Sequence, residues 1–249
     1  MVFSDYAHFY DLYYAEKDYA REVDFVLELA SRFGAIPSNV LDMGCGTGRH
    51  MEEFIKRDIK CDGFDISPEM LTHARQRLVG KDVMIEEGDI TSFENGKKYD
   101  LVIAMFAVMG YLIENEQLLS GLRTALKHMR PNGLFIFDGW FGPAVLDQKP
   151  EERCHEYDDE KGRVERKVVP RLDPVKQTVT INYEVNLIRD GETVKKISEE
   201  HIMRFMFIQE MAIAMENAGL ELIYYCPFMA PDREITTADW NIAFVARGK

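Results

Sequence analysis

The sequence has no cysteines at paired spacing: Cys45, Cys61, Cys154 and Cys226 are scattered through 249 residues without a CxxC or Cys/His ligand pattern. Neither a disulfide framework nor a structural zinc site is signalled, and reduced thiols are expected. Long apolar runs are missing as well. No stretch approaches the roughly 20 residues that cross a bilayer, and the start, "MVFSDYAHFYDLYY", lacks the basic segment and continuous apolar stretch of a secretory signal. A cytoplasmic protein with no membrane partner is the expectation. Positive charge is also short. The formal net charge of −13 opposes a nucleic-acid partner, because such binding depends on basic residues that neutralise phosphates. Local basic clusters such as "RVERKVVPR" sit among acids and read as solvated strand faces. No internal repeat or low-complexity linker stands out, and no convincing Ser/His/Asp or Cys/His arrangement suggests a covalent nucleophile.

What is present is enough apolar residue, 46% of the chain, to bury one substantial core. "EVDFVLELASRF" has helical spacing, and "NVLDM" is a short apolar strand that stops at a glycine-rich turn. "HMEEFIKR" then reads as a helix, "KCDGFDIS" as a strand, and "SPEMLTHARQRLV" as a helix with Ser67 as N-cap and Pro68 in its first turn. "DVMIEEGD" and "YDLVIAMF" are strands, "ENEQLLSGLRTALKHM" is a helix, and "NGLFIFD" is a fifth strand. Such alternation predicts a parallel sheet covered on both faces. After Asp138 the rhythm changes: "RVERKVVPR", "QTVTINYEVNLIR" and "ETVKKISEEHIMRF", with the turn "RDGE", predict an inserted antiparallel meander. A helix, "IQEMAIAMENAG", capped by Gly219, and two strands, "LELIYYC" and "WNIAFVAR", close the chain.

The chemistry gathers at strand ends. Residues 42–50, "DMGCGTGRH", place Gly44, Gly46 and Gly48 in the first strand-to-helix turn, behind Asp42. Glycines there let a ligand approach the backbone, either a dinucleotide pyrophosphate or the amino-acid end of S-adenosylmethionine. The dinucleotide fingerprint GxGxxG puts its third glycine where this chain has Arg49. Asp65 ends the second strand, where a carboxylate can accept both ribose hydroxyl hydrogens, and Asp89, beside Ile90, ends the third. These acids point to an adenosine-containing ligand without separating the two cofactors.

The segments "VLDMGCGTGRH", "GFDISPEML", "EEGDI", "YDLVIAMFAVMGYL" and "LKHMRPNGLFIFD", from Val40 to Asp138, resemble the class I S-adenosylmethionine-dependent methyltransferases in order and spacing. The resemblance implies an α/β, Rossmann-like seven-stranded sheet, mostly parallel with its last strand antiparallel. It implies one domain over residues 1–249, with residues 140–206 as a β roof above the acceptor site. S-adenosyl-L-methionine would be the cofactor and S-adenosyl-L-homocysteine its product. Gly44 and Gly46 would lie against the methionine part, with Gly48 completing the loop, and Asp42 would face the ammonium group. Asp65 would hold the ribose; Ile66, Met70, Asp89 and Ile90 would surround the adenine; and Met105 would line the site after the fourth strand. Methyl transfer from a sulfonium is an in-line displacement that needs alignment and exclusion of water but no metal.

The amino-terminal run "DYAHFYDLYYAEKDYA" concentrates Tyr6, Phe9, Tyr10, Tyr13, Tyr14 and Tyr19. It resembles the "YDxxY...DYAxE" segment of sugar N-methyltransferases, which folds over the cofactor, and this makes Tyr10 and Tyr19 expected lid contacts. Those enzymes carry a histidine where this chain has Tyr111, and an arginine that is replaced here around Trp240. Tyr111, Tyr10 and His201 are the expected catalytic groups, histidine being the side chain suited to relay a proton near neutral pH. Arg204 is the expected substrate clamp for a phosphate or carboxylate. His50 reads as a first-turn helix residue rather than a base. The expected activity is methyl transfer to a small polar acceptor, preferably an amine on an amino sugar or a small metabolite. O- or C-methylation, a non-catalytic cofactor-binding module and a nicotinamide oxidoreductase stand as alternatives, and a homodimer is left open.

Overall fold

The structure is a computed structural model that describes residues 7–159 and 162–249. Helix α1 (Ala7–Tyr13) precedes α2 (Tyr19–Arg32), whose N-cap Asp18 accepts the Arg21 N–H at 2.9 Å. The chain then alternates as β1 (Asn39–Met43), α3 (Arg49–Ile55), β2 (Lys60–Asp65), α4 (Pro68–Arg77), β3 (Ile85–Glu87) and β4 (Tyr99–Ala104). A 3₁₀ turn (Val108–Tyr111), α5 (Asn115–His128) and β5 (Met129–Trp140) complete the first half. At the start of α4 the Ser67 hydroxyl accepts the Met70 N–H at 3.2 Å with Pro68 in the first turn, as the sequence requires.

After α6 (Gly142–Gln148) come four antiparallel strands, β6 (Arg153–Asp159), β7 (Gly162–Asp173), β8 (Thr178–Arg189) and β9 (Glu192–Arg204). Helix α7 (Ile208–Ala218), ended by Gly219 in the left-handed region, leads to β10 (Leu220–Pro227) and β11 (Asn241–Gly248). The main sheet runs β10-β11-β5-β4-β1-β2-β3, with β11 antiparallel to both its neighbours. This is the seven-stranded, mostly parallel sheet with its last strand antiparallel that the resemblance implies. Strands β1, β4 and β5 are apolar on both faces because helices cover both. Leu41, Val102 and Phe135 pack on one side with α5 and α7, while Val40, Leu101 and Leu134 pack on the other with α2 and α3.

Strand order reverses beside β1: the chain steps outward through β2 and β3, then returns to β4 on the other flank. The carboxyl ends of β1 and β4 therefore diverge into a crevice, the usual ligand site of an open α/β sheet.

The second sheet has four strands where three were read; β6 and the short α6 carry weak patterns next to the strong ones that follow. Its inward face takes alternate residues: Val164 and Arg166 of β7, Ile181, Tyr183 and Val185 of β8, and Ile197, Glu199, His201 and Met203 of β9. The aromatic amino-terminal segment docks there, with Tyr13 packed among Val164, Val185 and Ile197. Tyr6 lies outside the described residues.

Candidate active site

A cavity of about 640 Å³ occupies the crevice at the carboxyl ends of β1, β2, β4 and β5, between α1 and the second sheet. At one end the backbone dominates. The N–H groups of Gly44 and Cys45 both donate to the Phe64 carbonyl, at 2.8 and 3.0 Å, folding the loop back over β2. Gly44 has φ +77°, and a Cβ there would stand 2.6 Å from Val108 Cγ1, so glycine is required by both conformation and space. The Gly46 N–H donates to Asp65 Oδ2 at 2.8 Å, and the Ser67 N–H to Oδ1 at 2.9 Å. Loss of solvent still raises the Asp65 carboxyl above its ordinary range.

Tyr19, Gly44, Gly46, Asp65, Ile66, Met70, Asp89, Ile90 and Met105 all line this cavity. Two expected contacts do not. Gly48 caps α3 in the left-handed region and would set a Cβ 3.2 Å from Ala74 Cβ, so its task is helix packing. Asp42 lies behind the loop, 1% exposed, and its Oδ2 is fully buried without a hydrogen-bond partner. Burial first, then the nearby Asp65 charge, pushes the Asp42 carboxyl up to about 8. Such an orphaned oxygen is costly unless something cationic or hydrogen-bonding reaches it.

Helix α1 closes one side. Tyr10 and Tyr14 line the cavity with ring centroids 4.8 Å apart, and Phe106 meets Tyr14 edge-on at 4.8 Å. Asp11, on the same helix, accepts from Thr47 Oγ1 at 2.8 Å and Arg49 Nε at 3.2 Å, and pairs with Arg77. This fixes α1 to the glycine loop and α4. His50 lies in the first turn of α3, as the sequence suggests, and also borders the cavity; its Nε2 is 2.7 Å from Glu22 Oε2. Burial lowers its pKa.

The far end is built from side chains. The Tyr111 hydroxyl lies 2.7 Å from His201 Nδ1, and His201 Nε2 lies 3.2 Å from Glu199 Oε2. Tyr183 meets the His201 ring edge-on at 4.9 Å, and Trp140 and Asn241 extend the wall. Asp138, at the end of β5, completes it. Its Oδ1 accepts the Ala107 N–H at 3.0 Å, and burial pushes its carboxyl up to about 7. Phe106 and Ala107 hold φ of 69° and 57°, a strained pair whose backbone turns toward that carboxylate. Asp138 was missed in the sequence, although it ends a strand just as Asp65 does.

Arg204, expected to clamp substrate, is not in the cavity lining. It pairs with Glu210 and donates to Asn115 Oδ1 at 2.8 Å and to the Ile113 carbonyl at 3.4 Å, tying the end of β9 to α7 and α5. Trp240 stacks edge-on against Trp140 at 5.8 Å beside the cavity. A second hollow, about 540 Å³, opens at the amino ends of the strands, but its Lys60–Asp82, Lys97–Asp62 and Arg130–Asp100 pairs satisfy one another. Among the described residues, no group of three or more His, Cys, Asp or Glu is arranged to hold a metal. No described helix is long and apolar enough to cross a membrane.

Residues 40–133 match the methyltransferase domain family. A dTDP-3-amino-3,4,6-trideoxy-alpha-D-glucopyranose N,N-dimethyltransferase of Streptomyces venezuelae is 31% identical over 224 residues, covering 88% of this chain and 92% of that one. The chain belongs to the S-adenosylmethionine-dependent methyltransferases. Among solved structures, Streptomyces venezuelae DesVI superposes on this methyltransferase with TM-score 0.80 and 28% identity, covering 99% of each chain. An S-adenosylmethionine-dependent methyltransferase from Clostridium acetobutylicum shares the fold, with TM-score 0.82 at 23% identity over 98% of this chain and 97% of that one.

S-adenosylmethionine is the methyltransferase's cofactor, and the backbone-built end of the cavity fits it. The unpartnered Asp42 oxygen suits the cofactor's ammonium group, directly or through water, and the loop at Gly44 and Gly46 leaves backbone within reach of its amino-acid end. Asp65 and Asp89 stand at successive strand ends, where hydroxyl and amino donors would be accepted. When bound, the cofactor supplies a methyl group on a cationic sulfur, ready for displacement by a nucleophile.

Proposed function

We propose that this methyltransferase transfers a methyl group to the amino nitrogen of a nucleotide-linked amino sugar. The observation that carries the reading is the extent of the likeness to the Streptomyces dimethyltransferase, which is named for a dTDP-amino sugar substrate. It covers 92% of that enzyme, well beyond the cofactor-binding residues 40–133.

The cavity chemistry supports it. At the acceptor end, Asp138 and Tyr111 provide hydrogen-bond acceptors for an N–H donor, and Trp140 and Tyr183 provide flat apolar faces for a sugar ring. The segment 140–206 then serves as a roof over the acceptor. Tyr10 and Tyr19 belong to the cover near the methyl donor, where they exclude water and hold the attacking atom in line. A carboxylate with a pKa near 7 at Asp138 suits an acceptor that must lose a proton. The cytoplasm, where nucleotide sugars and the methyl donor meet, is the compartment this reading requires, and nucleic acid has no part in it.

The test is incubation of the purified protein with methyl-labelled S-adenosylmethionine and dTDP-3-amino-3,4,6-trideoxy-α-D-glucopyranose, alongside a panel of amines, alcohols and carbon acids. Label on the sugar nitrogen is expected. Transfer only to oxygen or carbon acceptors would refute it, as would cofactor binding with no turnover on any acceptor.

A further inference from the structure

Three side chains from two parts of the fold form a continuous hydrogen-bonded line out of the acceptor end of the cavity. Tyr111 ends the 3₁₀ turn that follows β4; His201 and Glu199 share the inward face of β9, two residues apart. Tyr111 and His201 line the cavity, and Glu199 stands behind them with its side chain 7% exposed. We propose that Tyr111, His201 and Glu199 are a proton path that removes the amine proton of the acceptor, with Glu199 as the positioning residue that sets its direction. The proposal rests on nitrogen being the methylated atom.

The direction follows from donor and acceptor counting. An ionised carboxylate can only accept, so the contact of His201 Nε2 with Glu199 Oε2 at 3.2 Å puts the imidazole proton on Nε2. Nδ1 is then a lone pair and accepts the Tyr111 O–H across 2.7 Å. With its O–H engaged in that hydrogen bond to His201, the Tyr111 oxygen faces the cavity as an acceptor. It therefore selects an N–H donor and rejects an acceptor-only group. Burial, together with Tyr183 and Tyr14, raises the Tyr111 pKa well above the ordinary phenol range, which keeps it a donor to His201 rather than a phenolate.

The step balances. An N–H bond of the acceptor ammonium breaks and the nitrogen keeps the pair; that proton joins the Tyr111 oxygen as the Tyr111 hydroxyl proton moves to His201 Nδ1. The resulting imidazolium donates from Nε2 to Glu199. The freed lone pair is then the nucleophile of the methyl transfer already described. Among the described residues, the charged and titratable neighbours of the path include Tyr183 of β8, Arg166 of β7 stacked 4.6 Å from the Tyr183 ring, Tyr10 and Tyr13 of α1, Tyr14 just after it, and Asp65 of β2. Asp138 borders the same cavity and is a rival base.

Nitrogen-15 NMR of histidine-labelled protein, without substrate, reads the tautomer directly. His201 is expected as the Nε2–H form in wild type, and Glu199→Gln, whose amide can donate to Nε2, is expected to shift it toward Nδ1–H. A wild-type Nδ1–H tautomer overturns the proposal. Kinetics with the dTDP-amino sugar give the second arm. Glu199→Gln and Tyr111→Phe are expected to lower kcat/KM by roughly 10²-fold at pH 7 and by less than about tenfold at pH 9.5, where solvent supplies the free amine. A merely structural defect would persist across that range. Calorimetric binding of S-adenosylmethionine should match wild type in both variants, showing an intact fold. If wild type methylates only oxygen or carbon acceptors, the amine reading falls and takes the path with it. If wild type methylates the amine and both variants keep full activity at pH 7, the path alone falls and Asp138 becomes the base.

Discussion

At the donor end of the cavity, the binding surface is the first turn after β1 together with acids at the ends of β2 and β3, all within about fifty residues of sequence. At the acceptor end, the wall draws on the turn after β4, the end of β5, two strands of the second sheet and the start of β11. The first end is defined by backbone conformation and by carboxylates whose position the sheet fixes. The second is defined by side-chain chemistry that can be exchanged without disturbing the sheet. A fold that keeps one ligand and changes the other is expected to divide its site in this way.

Breaking the donor end should have the largest effect. Gly44→Val forces a β-branched residue into φ +77° and drives a Cβ to 2.6 Å from Val108; a strained left-handed residue costs about 1–3 kcal/mol before any clash. Calorimetry should find S-adenosylmethionine binding at least about 10²-fold weaker, with acceptor affinity not the limiting defect. An unchanged dissociation constant would mean that the loop does not shape the donor site.

Changing the acceptor end should separate the two affinities. Asp138→Asn keeps an oxygen for the Ala107 N–H but removes the charge, and hydrogen bonds to charged groups are worth about 1.5–3 kcal/mol. Steady-state assays should show kcat/KM for the amino sugar down by roughly 10–100-fold while the cofactor constant barely moves. Equal loss of both affinities would dissolve the distinction between the ends.

The smallest effect is a proton count. Asp42 is pushed up to about 8, so at pH 7 it is mostly protonated before the cofactor arrives. An ammonium group placed against it favours the carboxylate, and binding should release up to about one proton. Calorimetry in buffers of different ionisation enthalpy would read that release, and Asp42→Asn should abolish it. The linked stability has a definite sign. Because its folded pKa lies above the unfolded value, Asp42's share is fully present below the ordinary carboxylate range and is lost as pH rises through about 8. Ligand-free protein should therefore melt at lower temperature at pH 8 than at pH 6, with a smaller difference in Asp42→Asn.

The same division explains what the sequence could express. The succession of strands and helices through β5, the N-cap at Ser67 and the glycine loop are local signals, and each lies where the local chemistry places it. Residues 140–206 showed three of their four strands by alternation, but not which face would be buried. In "ISEEHIM" the inward register is Ile197, Glu199, His201 and Met203, so two polar residues lie between two apolar ones on the covered side. That interruption of an apolar face was the available sign of Glu199. Asp138 could have been found by the strand-end rule that found Asp65. Arg204 could not be placed, because its partner Glu210 belongs to a helix whose docking depends on the whole chain. Gly48 shared the pattern of its neighbours, yet contact with Ala74 decides its role.

Helix α1 belongs to both ends. Asp11 fastens it to Thr47, Arg49 and Arg77 beside the donor site, while Tyr13 is buried in the second sheet and the Arg166 guanidinium lies 4.7 Å from the Tyr13 ring. One short helix thus carries contacts to both compartments, so a substitution that loosens its hold on the glycine loop would also disturb its seat on the second sheet.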